Sequence, residues 1–183
     1  MLIRKLKEFI SWLHKDVPNF FRNIWKFRKA LWNHHWWDYS GTLDFIEIGV
    51  TDIANGVEKK GIEIEHSRMK KVAKMKRAVE IIKNIREDRY FDIVEKEMGR
   101  GLNGFNYDFI PIEDKPGFLE MVDKDSEEEK EFKRKYFSRI RELEEIEWNE
   151  LWEILKGQHP SVYENEGNWD DIFDGSGLRG WWD

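Results

Sequence analysis

Apolar residues recur along most of this chain three or four positions apart, with charged residues between them. That spacing predicts amphipathic helices. In residues 2–14, Leu2, Leu6, Phe9, Ile10 and Leu13 share one face, and Trp12 widens it. Arg4, Lys5, Lys7 and Glu8 fall off that face. Such a helix can pack on the rest of the chain or lie on a membrane surface. Asp16-Val17-Pro18 predicts a stop and a restart, because Pro suits a first helical position and Asp a cap. The second helix then runs from Pro18 to about Trp32, with Phe20, Phe21, Ile24, Trp25, Leu31 and Trp32 on a broad aromatic face.

The stretch from Trp32 to Phe91 predicts a helix pair. Tyr39, Leu43, Ile46, Val50, Ile53 and Val57 form a heptad-like seam. Gly49 and Gly56 share a stripe, which predicts close approach of a backbone or a bulky ring. After Lys60-Gly61 and a short alternating connector, His66-Ser67 leads a long helix. Met69, Val72, Met75 (or Ala73), Val79, Ile82, Ile85 and later Tyr90, Phe91 and Val94 mark its buried side. The short connector makes the two helices antiparallel neighbours.

The periodicity stops at Gly99. Residues 99–125 read as an aromatic loop that packs down on the helices, with a short strand near Phe109–Ile112. Ser126 and Glu129 form a capping box. The helix they start carries Phe132, Tyr136, Ile140, Leu143, Trp148, Leu151, Ile154 and Leu155 on its apolar side and ends at Gly157. Residues 158–183 read as an extended aromatic-acidic tail: His159-Pro160, Tyr163, Trp169 to Phe173, and the closing Trp181-Trp182-Asp183. Clusters of this kind act as docking segments, in cis on the basic half or in trans on a partner. The predicted class is mainly α, an antiparallel helical bundle around a central helix pair. The helical domain covers 1–157, divided into basic helices (1–35), the pair (36–98), the loop (99–125) and an acidic helix (126–157). The tail is 158–183.

Composition sharpens this picture. Aromatics make up 15% of the 183 residues, including ten Trp, which argues against disorder. The absence of Cys excludes disulfides, thiolate metal sites and a Cys nucleophile. No apolar run approaches the roughly 20 residues of a membrane span. The N-terminus has no clean apolar core of a signal peptide. Residues 1–35 carry eight Lys/Arg against two acids, a net of +6, although the whole chain is −6. Residues 66–100 carry eleven against six, a net of +5. A basic and an acidic half follow. They attract each other within the fold or between copies, or the basic half holds an anion.

Candidate chemistry is sparse. His34, His35 and Asp38 are the one dense group of metal-ligand types, with His34 and Asp38 at i, i+4. An antiparallel pair carries His66 away from them, so no metal site and no cofactor are assigned. No nucleophile elbow, Walker loop, dinucleotide fingerprint or EF-hand loop is present. The Gly-Arg-Gly-Leu-Asn-Gly run at 99–104 matches no phosphate loop. No catalytic residue is assigned, and the expected activity is non-enzymatic binding. The favoured constellation is Trp36, Trp37 and Tyr39 as stacking surfaces with Arg68, Lys71, Lys74 and Arg77 as cations on the next helix. A nucleotide needs a π-face for its base and positive charge for its phosphate. The bland reading of the same basic helix is a solvated face. Duplex nucleic acid is an unsuitable partner for a net-negative chain.

Several motifs match a known pattern. Leu31-Trp32, Trp37-Asp38-Tyr39, the Leu43/Ile46/Val50/Ile53 helix, the glycine connector, the run from Arg68 to Met75, Ala78-Val79 and the residues after it, Glu87-Asp88, Tyr90 and the closing Trp-Trp-Asp resemble an uncharacterised family of tailed-bacteriophage proteins. The resemblance covers roughly residues 20–97 and the last three. It implies a phage protein acting in the host bacterial cytoplasm and assigns no catalytic residue. The expected role is a phage accessory protein, counteracting host defence by sequestering a nucleotide-type signal. The alternatives are inhibition or regulation of a host protein through the acidic Trp-rich tail, or a virion or assembly component. The expected partners are a small nucleotide, a second copy of the chain and a host protein, with no duplex and no membrane.

Overall fold

The computed structural model describes residues 2–159, 161–162 and 169–181. Pro160, Tyr163, Trp182 and Asp183 of the predicted tail lie outside the described residues. So do the side chains of Leu2, Arg4, Leu6, Glu8 and Trp169. The chain is mainly α, as its periodicity predicts. In order it forms α1 (Leu2–Ser11), a π-type turn (Trp12–Asp16), α2 (Val17–Asn33), α3 (Tyr39–Lys60), α4 (Glu65–Arg86), α5 (Tyr90–Met98), β1 (Tyr107–Pro111), β2 (Leu119–Asp123), α6 (Glu127–Lys156), the short α7 (Trp169–Ile172) and a 3-10 turn (Leu178–Gly180). These elements divide into two compact units, residues 1–86 with 153–183, and residues 87–152.

The first unit is built on the predicted pair. A ladder of ion pairs fixes its direction. Glu63 pairs with Lys71, Glu58 with Lys76 (2.7 Å), Glu47 with Lys83 (3.7 Å) and Asp44 with Arg86 (2.6 Å). The numbers fall on α3 as they rise on α4, so the helices are antiparallel. Leu43, Val50, Ala54 and Val57 are buried on α3, and Val72, Met75, Ala78, Ile81, Ile82 and Ile85 on α4. Tyr39, Ile46 and Met69, expected in the seam, are exposed. The buried side of α3 is therefore narrower than the predicted seam, with Leu43, Val50 and Val57 kept from it and Ala54 added. Gly49 and Gly56 are not points of close approach, because a Cβ at either would meet nothing within 4 Å. α2 lies beside α3 through Phe27 against Phe45 and the 2.5 Å Lys26–Asp52 pair.

The end of the chain belongs to this unit. The Lys70 ammonium donates to the Phe173 carbonyl (2.9 Å), and Lys74 lies 3.5 Å from the Asp174 carboxylate. Gly175, at φ +88, sits against the backbone of Lys70. Gly157, at φ +79, ends α6, and a Cβ there would lie 2.6 Å from the Gly177 Cα. Both positions need glycine, for the positive φ and for the space. Trp181 is completely buried, and its indole N–H donates to the Gly175 carbonyl (3.0 Å). Of the two docking modes open to the tail, residues 173–181 adopt the one in cis, on the basic helix α4.

In the second unit, α5 runs antiparallel to the middle of α6, and Arg100 just beyond α5 reaches its start. Tyr90 donates to Glu147 (2.7 Å), Arg139 binds Glu97 (2.9 Å), and Arg100 pairs with Glu129. The helix predicted to continue through Val94 breaks at Glu87–Arg89. Asp88 there takes a left-handed conformation (φ +50) that Asp tolerates better than most residues. The single predicted strand is one arm of an antiparallel hairpin with Phe109 opposite Met121. Its side chains Phe109, Leu119 and Met121 are exposed rather than packed down.

Candidate functional site

The favoured constellation is not assembled. Trp36 and Trp37 sit in the break between α2 and α3, 87% and 67% exposed, and Tyr39 opens α3. The cations lie at the start of α4, opposite the far end of α3. At roughly 1.5 Å of rise per residue, α3 from Tyr39 to Glu58 is about 28 Å long. The ladder places Lys71 beside Glu63 and Lys76 beside Glu58, so the rings and the cations stand at opposite ends of the pair. The same antiparallel geometry that separates His66 from His34 separates Arg68 from Trp36.

The four cations also have structural partners. The Lys71 side chain is 8% exposed and pairs with Glu63. Its ammonium also lies 6.0 Å from the centre of the Phe173 ring. Lys74 holds Asp174, Arg68 donates to the Gly61 carbonyl (3.2 Å), and Arg77 pairs with Glu80 (3.1 Å). Arg68 and Lys71 fasten the connector, and Lys74 the C-terminal segment, to α4.

The histidine group is likewise spread apart. Residues 34–38 are not helical, so His34 and Asp38 do not share a face. Asp38 caps α3, accepting from the Ser40 backbone N–H (2.9 Å) and hydroxyl (2.7 Å). Those two bonds, led by the hydroxyl, hold its carboxyl below the usual range. His35 stacks on Trp37 (4.7 Å), and a Cβ on Gly41 would lie 2.9 Å from His34 Nδ1. Among the described residues, no three His, Asp or Glu side chains converge as a metal-ligand set. Arg100, the one cation of the glycine run, pairs with Glu129 and covers the Phe132 ring (4.3 Å).

Rings and cations do meet elsewhere, in the second unit. Lys130, Lys133, Arg134, Phe137 and Arg141 follow a spacing of 3, 1, 3 and 4, which puts them on one face of α6. Phe105 and Tyr107 come in beside them from the chain leading into β1. The rings of Tyr107, Phe105 and Phe137 form a nearly parallel row. Centroids are 5.7 Å apart at 11° for the first pair and 6.1 Å at 10° for the second. The Lys133 ammonium lies 4.7 Å from the Phe105 ring centre and is pinned by Asp125. These residues, with Asp123, line a cavity of about 400 Å³. Lys130 and Arg134 reach back to Glu127 (3.2 Å) and Glu131 (2.7 Å) one turn earlier. Arg141 makes no hydrogen bond or ion pair among the described residues. Four cations against two acids line the cavity, a net of +2 in a chain that is −6 overall.

The signal for this site is in the sequence. Residues 130–141 hold six Lys/Arg against the single acid Glu131. Reading 126–157 as one acidic helix averages that basic half with the acidic half that follows. The hairpin that brings Phe105 and Tyr107 alongside has no comparable local signal.

The protein is thus a mainly α chain whose second unit holds an aromatic-cationic cavity. Comparison with family models, with curated proteins and with solved structures finds no match to this chain.

Proposed function

We propose that the chain is a non-enzymatic binding protein for a small anion bearing a flat ring, a nucleotide-type ligand, held in the α6 cavity. The observation that carries this reading is the parallel row Tyr107–Phe105–Phe137 beside Lys130, Lys133, Arg134 and Arg141. A base stacks on such a row, with each base–aromatic contact worth about 1–3 kcal/mol. Guanidinium groups at its edge bind phosphate through paired hydrogen bonds. The volume falls within the range of small-molecule sites. The resemblance to tailed-phage proteins supports a setting for this binding: an accessory protein in the infected bacterium's cytoplasm that removes a nucleotide signal of host defence. The rival role, a host-protein contact through the Trp-rich tail, is weakened because Phe173 and Trp181 are already buried in the protein's own first unit. Self-association through the α3 seam is weakened likewise, because Leu43, Val50 and Val57 are used inside the pair.

Thermal denaturation against a panel of mono-, di- and cyclic nucleotides tests the reading. A member of the panel should raise the melting temperature of the wild type and leave Phe137→Ala and Arg134→Ala unmoved. An unchanged melting temperature across the panel would sink it.

A further inference from the structure

The first 33 residues carry a feature that the α6 cavity does not use. On α1 and its π-type turn, Phe9, Ile10, Trp12 and Leu13 are exposed. On α2, Phe20, Phe21, Ile24, Trp25, Leu31 and Trp32 are exposed too. The α2 residues pair at i, i+4 (Phe20 with Ile24, Phe21 with Trp25), so they form one broad stripe. Phe27, i+3 from Ile24 and packed on Phe45 of α3, lies at its edge, and the buried Ala30 is off it. A contiguous exposed apolar surface of this extent marks a binding face.

Charge says what covers it. The arm is +6 over residues 1–35, and Lys5, Lys7, Lys15, Arg22 and Lys29 are exposed around the stripe. The stripe is rich in Trp and Phe, and Arg28 lies over the Trp25 ring (4.0 Å). Two copies meeting through it would bring +6 against +6. A bilayer surface with anionic headgroups satisfies both features, since the rings enter the interfacial layer and the cations meet the headgroups. No described helix is long and apolar enough to cross a membrane, so the contact lies along the surface. We propose that α1 and α2 form an interfacial arm that seats the protein on anionic lipid bilayers. The expectation of no membrane partner sets surface contact by residues 2–14 aside because such a helix can equally pack on the rest of the chain, and the exposure of Phe9, Ile10, Trp12 and Leu13 speaks against that packing.

Co-sedimentation of the full chain with vesicles tests this. Vesicles of phosphatidylcholine with one part in four phosphatidylglycerol should pellet the protein at least about tenfold more than pure phosphatidylcholine. The excess should vanish at about 0.5 M salt, where charge attraction over these distances is screened. Phe21→Glu/Trp32→Glu, at two exposed positions, should abolish binding and leave the circular dichroism melt unchanged. Lys7→Glu/Lys15→Glu, which keeps the rings, should also abolish the anionic preference. No pelleting with either vesicle would overturn the proposal. So would equal pelleting with both, or a dimer in light scattering that Phe21→Glu/Trp32→Glu dissolves while no vesicle binds.

Discussion

Two kinds of glycine divide this chain at the residue scale. Gly49 and Gly56 lie inside α3 with open space where a side chain would go. Alanine there removes the entropy cost of glycine without a clash. Gly49→Ala and Gly56→Ala should each stabilise the protein by about 0.5–1 kcal/mol in urea denaturation. A loss of stability would mean that a neighbour packs closely on α3 at these positions. Gly175 is the opposite case, with φ +88 and the Lys70 backbone against it, and Gly175→Ala should destabilise. Trp181, completely buried, should cost about 3–5 kcal/mol as Trp181→Ala. These residues show why sequence spacing misleads about glycine. The stripe of Gly49 and Gly56 is visible in the sequence, but what stands opposite it depends on α4 lying on another side.

At the scale of elements, the C-terminal segment behaves as a strap on α4. Asp174 is its electrostatic anchor. Burial pushes its carboxyl up, but the Ser176 hydroxyl and amide and the Lys74 ammonium outweigh burial and hold it below the usual range. A carboxyl lowered in the fold stabilises fully above its unfolded pKa of about 3.9 and loses that contribution as pH falls through the folded value. Asp174→Asn should therefore be less stable than wild type at neutral pH, with the difference shrinking below about pH 4. A difference that persisted at low pH would show that Asp174 acts by packing alone. The helices themselves were legible in the sequence, because 3.6-residue spacing and the Ser126 cap are local signals. Ser126 Oγ does accept from the Glu129 N–H (3.2 Å). The strap and the β1–β2 hairpin were not. Trp181 reads as a tail residue until the Gly175 and Gly177 turns bring it back, and strand pairing between Phe109 and Met121 joins positions twelve apart through an irregular loop.

For the whole molecule, the divided charge holds the answer that the ring-bearing stretch at 32–39 did not. The cations of α4 pair with Glu63, Glu58, Asp174 and their neighbours, so that helix is more than a solvated face. The basic half of α6 is the one that meets stacked rings. The site was half legible: the 130–141 charge run and its helical face stand in the sequence, but their pairing with Phe105 and Tyr107 needs the hairpin. One face of α6 carries the proposed binding, and calorimetric titration of the wild type and of Arg141→Ala with the nucleotide that shifts melting most tests it directly. The wild type should bind one equivalent, and Arg141→Ala, which breaks no hydrogen bond or ion pair among the described residues, should weaken binding about tenfold or more, in line with a charged hydrogen bond of about 1.5–3 kcal/mol. Equal affinity in the two proteins, or binding lost through Trp36→Ala instead, would contradict a ligand seat on α6.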